Sequence, residues 1–214
     1  MPRWIWVLVA SALAALIWAG SRSPRAALAQ ALPGQPAVSC VLPPAAVAGQ
    51  APLQTGVPPA MRAFRHGDFV VSPLAGFSLE ARVLAREDYR FDAEAALSPT
   101  DLALGWHQMA DPANYQRLDI SQSGRWYHYH WGAEGPPLPP DEIVRSSANM
   151  HLIPADDTVA RALSRVRPDQ TVRLQGWLVQ ARRDDGWLWR SSLSREDSGD
   201  GSCELIYVCA LTSY

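Results

Sequence analysis

Three strand-like runs, separated by short polar turns, fill the C-terminal third of this chain and constrain its fold more than any other feature. The first run, from Thr171 to Ala181, alternates apolar and polar side chains, and the Asp185-Gly186 pair that follows favours a hairpin turn. A second run extends from Trp187 to Arg195. The third, from Cys203 to Leu211, is apolar on both faces, which is typical of a central strand. Together the three runs predict an antiparallel C-terminal meander.

The preceding chain predicts further strands and one helix. Phe77 to Ala85 alternates like a half-buried strand, and residues 98–101 are interpreted as a cap or turn before Leu102 to Met109, which fits either a strand or a short helix. A short helix is predicted from Asp156 to Pro168, with an apolar stripe at helical spacing. The fold class predicted is therefore α+β, mainly antiparallel β: a small barrel of the oligonucleotide/oligosaccharide-binding type, with the helix before the meander.

The N-terminus has the pattern of a secretory signal. Arg3 precedes the apolar run 4–19, which contains one polar residue and is short for a membrane span. Small-residue cleavage sites occur at Ala27-Leu28-Ala29 and Ala29-Gln30-Ala31. Residues 1–31 are therefore predicted to be a signal peptide or an uncleaved signal anchor. Both alternatives export the remaining chain. A cleaved signal places it in the periplasm or outside the cell, and an uncleaved one leaves it anchored in the inner membrane by residues 4–19.

A segment rich in proline and alanine follows the signal. Residues 32–60 contain seven prolines and no charged residue, a composition that favours extended conformations over a packed core. We expect either an extended linker or a tail that partly wraps the domain. The globular, β-rich domain is predicted to comprise residues 61–214.

The charge balance argues against nucleic-acid binding. The basic residues are all arginines, and the whole chain carries a net charge of −2. Residues 32–214 contain 16 arginines and 21 acidic residues, a net charge of −5. Neutralisation of phosphates supplies most non-specific affinity for nucleic acid, so an acidic domain is a poor candidate.

Three cysteines, Cys40, Cys203 and Cys209, leave the disulfide pairing open. On one extended strand, Cys203 and Cys209 lie about 20 Å apart, too far for a bond with each other. In an oxidising compartment, Cys40 could pair with either of them and join the proline-rich segment to the C-terminal strands.

An aromatic strand, from Arg125 to Trp131, offers a candidate metal site. His128 and His130 share one face with Trp126, and a His-x-His pair on a strand can bind a transition metal. A third ligand is required, and no spacing selects among the candidates His107, Asp119, His151 and Glu204. The alternatives are a structural aromatic strand without a cofactor, or an aromatic platform for sugars or peptides.

Several motifs resemble an uncharacterised family of exported bacterial proteins. They are Ser147 to Pro154 (SANMHLIP), Val172 to Val179 (VRLQGWLV), and Ser191 to Arg195 (SSLSR) with Gly201 to Glu204 (GSCE). The resemblance covers residues 64–211 and implies a common fold without an activity. Polar residues in these motifs, together with one tryptophan of the aromatic strand, form the predicted ligand-binding set: Trp126, Asn149, His151, Arg195 and Glu204.

These features favour a non-enzymatic cell-envelope module that binds another envelope protein or cell-wall glycan. The alternatives are a metal-dependent hydrolase that uses the His-x-His pair, and an accessory subunit of a membrane complex.

Overall fold

The computed structural model describes residues 4–6, 8–9, 25–196 and 202–214. Most of the predicted signal segment, and residues 197–201 of the predicted loop before the last strand, lie outside the described residues. Within the described ranges, no helix is long and apolar enough to cross a membrane. The strands are β1 Ala29–Ala31, β2 Leu53–Thr55, β3 Phe64–His66, β4 Phe69–Asp88, β5 Thr100–Gly105, β6 Leu118–Ser123, β7 Trp126–Trp131, β8 Ser147–Pro154, β9 Thr171–Arg182, β10 Leu188–Arg190 and β11 Glu204–Ser213. The α-helices are α1 Pro112–Tyr115, α2 Pro140–Ser146 and α3 Asp157–Leu163, and a 3-10 helix spans His107–Ala110.

Five strands close into a ring. β4 pairs with β5, β5 with β8, β11 with β9, and β9 with β4, all antiparallel, whereas β8 and β11 run parallel. Strands β6 and β7 form a separate hairpin between β5 and β8 in the chain. The predicted α+β class with a mainly antiparallel sheet is confirmed.

The interior of the ring holds the main core. Alternate residues of β4, such as Phe77 and Leu79, point inward and pack with Leu174 of β9 and Ile206 of β11. Helix α3 packs Val159 and Leu163 against the same core. The helix begins where predicted, because the carboxylate of Asp156 accepts hydrogen bonds from the first free backbone amides.

The three C-terminal strands form, but the predicted meander is wrong. Strand β9 has two edges, and β4 occupies one of them from Thr171 to Arg182. β10 and β11 must therefore share the other edge, where β11 pairs with residues 172–178 and β10 with residues 180–182. The two strands lie end to end along β9, and β8 is the second neighbour of β11.

The turn expected at residues 98–101 is also partly wrong. Thr100 and Asp101 are the first residues of β5, and both are buried. The segment that fitted either a strand or a helix divides into β5 and the 3-10 helix.

The proline-rich segment lies against β4 and β9. Cys40 forms a disulfide with Cys209 of β11, one of the two partners left open by the sequence. Beyond the disulfide, carbonyl oxygens of the segment accept hydrogen bonds from side chains of the ring: Val41 from the Trp177 indole, Pro43 from Gln175 and Pro44 from Ser78. Strand β2 then pairs with β4. We call residues 32–60 the strap.

Both predicted cleavage sites lie in or next to the first strand, β1. Strand β1 pairs with β3, and the backbone amide of Ala26 donates a hydrogen bond to Asp157 of α3. Cleavage after Ala29 or Ala31 would therefore cut within or directly after a paired strand.

We expect Gly176→Ala to lower the free energy of unfolding by about 1–3 kcal/mol, because overpacking forces the backbone to shift. A Cβ atom at Gly176 would lie 2.2 Å from the carbonyl oxygen of Tyr207 on the neighbouring strand β11. Denaturant unfolding measures the change. Gly132→Ala is the control, since a Cβ there meets nothing within 4 Å. Equal stabilities of the two variants would contradict the close approach of β9 and β11.

Candidate functional site

A pocket of about 300 Å³ opens beside the ring, between β8, β10 and the start of β7. Three tryptophans, Trp126, Trp187 and Trp189, supply much of its lining. Its polar lining comes from Glu94, Arg125, His151 and Arg190. The volume is at the lower end of the range for small-molecule sites. The apolar surfaces of the tryptophan side chains and several polar groups thus line one concave site.

The buried carboxylate of Asp101 contacts two residues of the pocket lining, Arg125 and His151. The side chain of Asp101 is 0% exposed, and it accepts hydrogen bonds from Arg125 at 3.0 Å and from Asn149 at 3.3 Å. The carboxylate oxygen that accepts from Asn149 also lies 2.9 Å from Nδ1 of His151, close enough for an ion pair when the imidazole is protonated. Asp101 therefore joins β5, β8 and the β6–β7 turn at one point.

Arg125 extends this cluster to the loop between β4 and β5. Its guanidinium makes a bidentate contact with Asp92, at 2.7 and 3.0 Å, and donates to the carbonyl of Ser98 at 2.8 Å. It also stacks over the ring of Tyr89, 3.6 Å from the centroid. Burial raises the pKa of the Tyr89 phenol, whose oxygen accepts the Arg125 backbone amide. One side chain thereby fixes the loop that forms one wall of the pocket.

Arg125 lies in a tight turn with an unusual backbone conformation. Gly124 and Arg125 both have positive φ, 57° and 71°, and connect β6 to β7 as a two-residue hairpin turn. Such turns match the twist of the flanking strands. A positive φ is unfavourable for arginine, and the contacts of its guanidinium hold it there.

Aromatic contacts fix the opposite wall. Trp189 packs on the ring of His151, with centroids 4.6 Å apart, and Trp187 meets Trp189 edge on at 6.1 Å. Phe69 supports Trp187 from β4 at 5.4 Å. His151 connects this wall to Asp101, because its Nδ1 lies 2.9 Å from the carboxylate.

The structure brings some of the predicted ligand-binding residues together. Trp126 and His151 line the pocket, and Asn149 lies behind it on Asp101. Arg195 and Glu204 form a separate ion pair at 2.9 Å, with the Glu204 side chain 1% exposed. That pair does not line the pocket.

The predicted metal pair lies on the outer face of the β6–β7 hairpin. His128 and His130 are exposed, and Ser121 and Asp119 stand opposite them on β6. Among the described residues, no group of three or more His, Cys, Asp or Glu side chains could hold a metal ion.

Sequence reasoning missed Asp101, Arg125 and Glu94. Asp101 stands in an apolar strand, where a lone carboxylate is costly unless it is paired, and its partner is 24 residues away. The hairpin turn that contains Arg125 has one signal in the local sequence, the glycine at position 124.

No protein-family model, no curated protein and no solved structure matches this chain.

Proposed function

We propose that this chain is a non-enzymatic module of the bacterial cell envelope that binds cell-wall glycan in the tryptophan-lined pocket. The observation that carries the proposal is the meeting of three indoles with fixed polar groups in one pocket. A sugar ring has an apolar face that stacks on an indole and hydroxyl groups that need hydrogen-bond partners. The lining residues offer both kinds of surface.

We further propose that the ring is a barrel of the oligonucleotide/oligosaccharide-binding type. In support, its strands follow the order β4, β5, β8, β11, β9, and α3 lies between β8 and β9 in the chain. Barrels of this type bind ligands on the face of their second and third strands and on two flanking loops. Here those strands are β5 and β8, and the pocket takes Glu94 from one such loop and Trp187 from the other.

Charge favours glycan over nucleic acid among the ligands of such barrels. The guanidinium of Arg125 is already matched by two carboxylates, those of Asp92 and Asp101. Glu94 stands on the same lining as Arg190. A single-stranded nucleic acid requires an uncompensated basic groove along its backbone, whereas a mixed lining suits hydroxyl and amide groups.

The cell-envelope location rests on the N-terminal apolar segment and the proline-rich strap. An exported chain meets cell-wall glycan directly, whether the signal segment is cleaved or stays in the membrane. The hydrolase alternative gains no third metal ligand from the described residues, and a protein partner remains an outcome of the test below.

We expect the full chain to be retained by purified cell-wall glycan, and Trp126→Ala to weaken this binding at least tenfold. Truncating an aromatic residue central to a binding site typically costs about 2 kcal/mol, and about 1.4 kcal/mol corresponds to a factor of ten. A glycan sedimentation assay over a range of protein concentrations gives the affinities.

Trp131→Ala is the matched control, because Trp131 ends the same strand, is 43% exposed and lies outside the pocket lining. No retention of the unmodified chain would remove the glycan proposal. Recovery of a stable partner protein from detergent extracts, with no glycan binding, would move the accessory-subunit alternative to the front.

A further inference from the structure

Among the described residues, no strand pairs with the edge of β10 that faces away from β9. The carbonyl of Trp187 accepts from Arg183, and the amide of Ser191 donates to Val179, each at 3.0 Å. Residues 187 and 191 therefore direct their backbone groups towards β9. Because this direction alternates along a strand, Leu188 and Arg190 direct theirs away from β9. Within the described chain, β9 is the strand that pairs with β10.

The lining of the pocket shows that it follows this edge. Four consecutive residues, 187–190, contribute to the lining. Successive side chains of a strand point to opposite faces, so a pocket confined to one face would touch alternate residues. The lining also includes Arg125 and Glu94, and His151, on which Trp189 of β10 packs. The pocket thus lies along β10, beside the contact between Trp189 and His151.

We propose that the glycan ligand carries a peptide, and that the peptide adds as an extended strand to the edge of β10. This inference rests on the proposed function: the sugar occupies the indoles, and the backbone N–H and C=O groups of Leu188 and Arg190 pair with the attached peptide. Addition of a peptide to an open sheet edge draws its affinity from main-chain hydrogen bonds. The ligand class is therefore a glycopeptide, a sugar with an extended peptide stem.

The length of the edge favours a short peptide over a second copy of this chain. β10 has three residues, and the bonds of Trp187 and Ser191 continue its pairing with β9 by one residue at each end. Short edge strands resist pairing between whole sheets. A peptide of a few residues needs no longer edge, and its attachment to the sugar holds it beside the strand.

The test compares two soluble cell-wall glycan fragments, one with its peptide and one from which an amidase has removed it. Titration calorimetry gives the affinity of the full chain for each fragment. We expect the peptide to tighten binding by the unmodified chain at least tenfold. The variant Leu188→Pro removes the backbone donor of residue 188, which is directed away from β9, and leaves the residues that bond to β9 unchanged. We expect it to lose most of the tenfold difference, while Trp131→Ala, at a residue outside the pocket lining, keeps it.

The outcomes separate the inference from the proposed function. Equal affinity of the unmodified chain for the two fragments would overturn the peptide inference and leave glycan binding standing. Retention of the full preference by Leu188→Pro would overturn pairing at this edge. Failure of the unmodified chain to bind either fragment would remove the proposed function and the inference with it. The comparison within the unmodified chain decides the inference even where Leu188→Pro does not fold.

Discussion

Asp101→Ala is expected to lower the free energy of unfolding by about 3–5 kcal/mol, the usual cost of removing one partner from a buried ion pair. The side chain of Asp101 is 0% exposed, and those of Arg125 and His151 are 13% and 3% exposed. Without the carboxylate, the Asn149 amide loses an acceptor and the guanidinium loses its contact with β5. Denaturant unfolding of the variant and of the unmodified chain measures the difference.

The cluster around Asp101 also positions the pocket, so the same variant should bind glycan more weakly. Asp141→Ala provides the control, because Asp141 forms an exposed ion pair with Arg145 within one helix. Such pairs contribute about 0.3–0.5 kcal/mol. If Asp101→Ala and Asp141→Ala lost equal stability, the buried cluster would not hold β5, β8 and the hairpin together.

Removal of the Cys40–Cys209 disulfide, by changing both cysteines to alanine, is expected to cost about 2–5 kcal/mol. The bond joins residues 169 apart, so its loss frees a long stretch of the unfolded chain, and this entropy favours unfolding. The folded state also changes, because the strap supplies the Val41 carbonyl that accepts from the buried Trp177 indole. Thermal unfolding and limited proteolysis within residues 45–52 measure the two effects.

The reduced form of the unmodified chain serves as the comparison for this double variant. Both should show lower stability and faster cleavage of the strap than the oxidised chain. An oxidised chain that is no more stable than the double variant would show that the strap is held by its hydrogen bonds and by β2 alone.

The strands and helix α3 were predicted from the local pattern of apolar and polar residues. Alternation located β9 and the central part of β4, an apolar run on both faces located β11, and the acidic start and apolar stripe located α3. Alternation assigns faces but not edges, which is why the order of the C-terminal strands was wrong. That order depends on β4 occupying one whole edge of β9.

The site was less accessible to sequence reasoning, because its residues meet only in the folded chain. Trp126 was predicted as a binding residue from an aromatic run, and His151 from a sequence motif. Nothing in the sequence indicated that the two lie in one pocket. Asp101 was interpreted as the end of a cap or turn because it follows Ser98, Pro99 and Thr100, and its partner Arg125 is 24 residues away. Trp187 and Trp189 lie in the second predicted run, and the contact of Trp189 with His151 that makes them a pocket wall is a tertiary feature.

The central claim, that the tryptophan-lined pocket binds cell-wall glycan, is tested most directly by the indole N–H signals of the full chain in nuclear magnetic resonance spectra. Addition of soluble glycan fragments should shift the signals of Trp126, Trp187 and Trp189. The signals of Trp106 and Trp177, which are 2% and 1% exposed in the core, should stay in place. Binding that leaves the three pocket indoles unchanged, or no change in any indole signal at saturating glycan, would contradict the account.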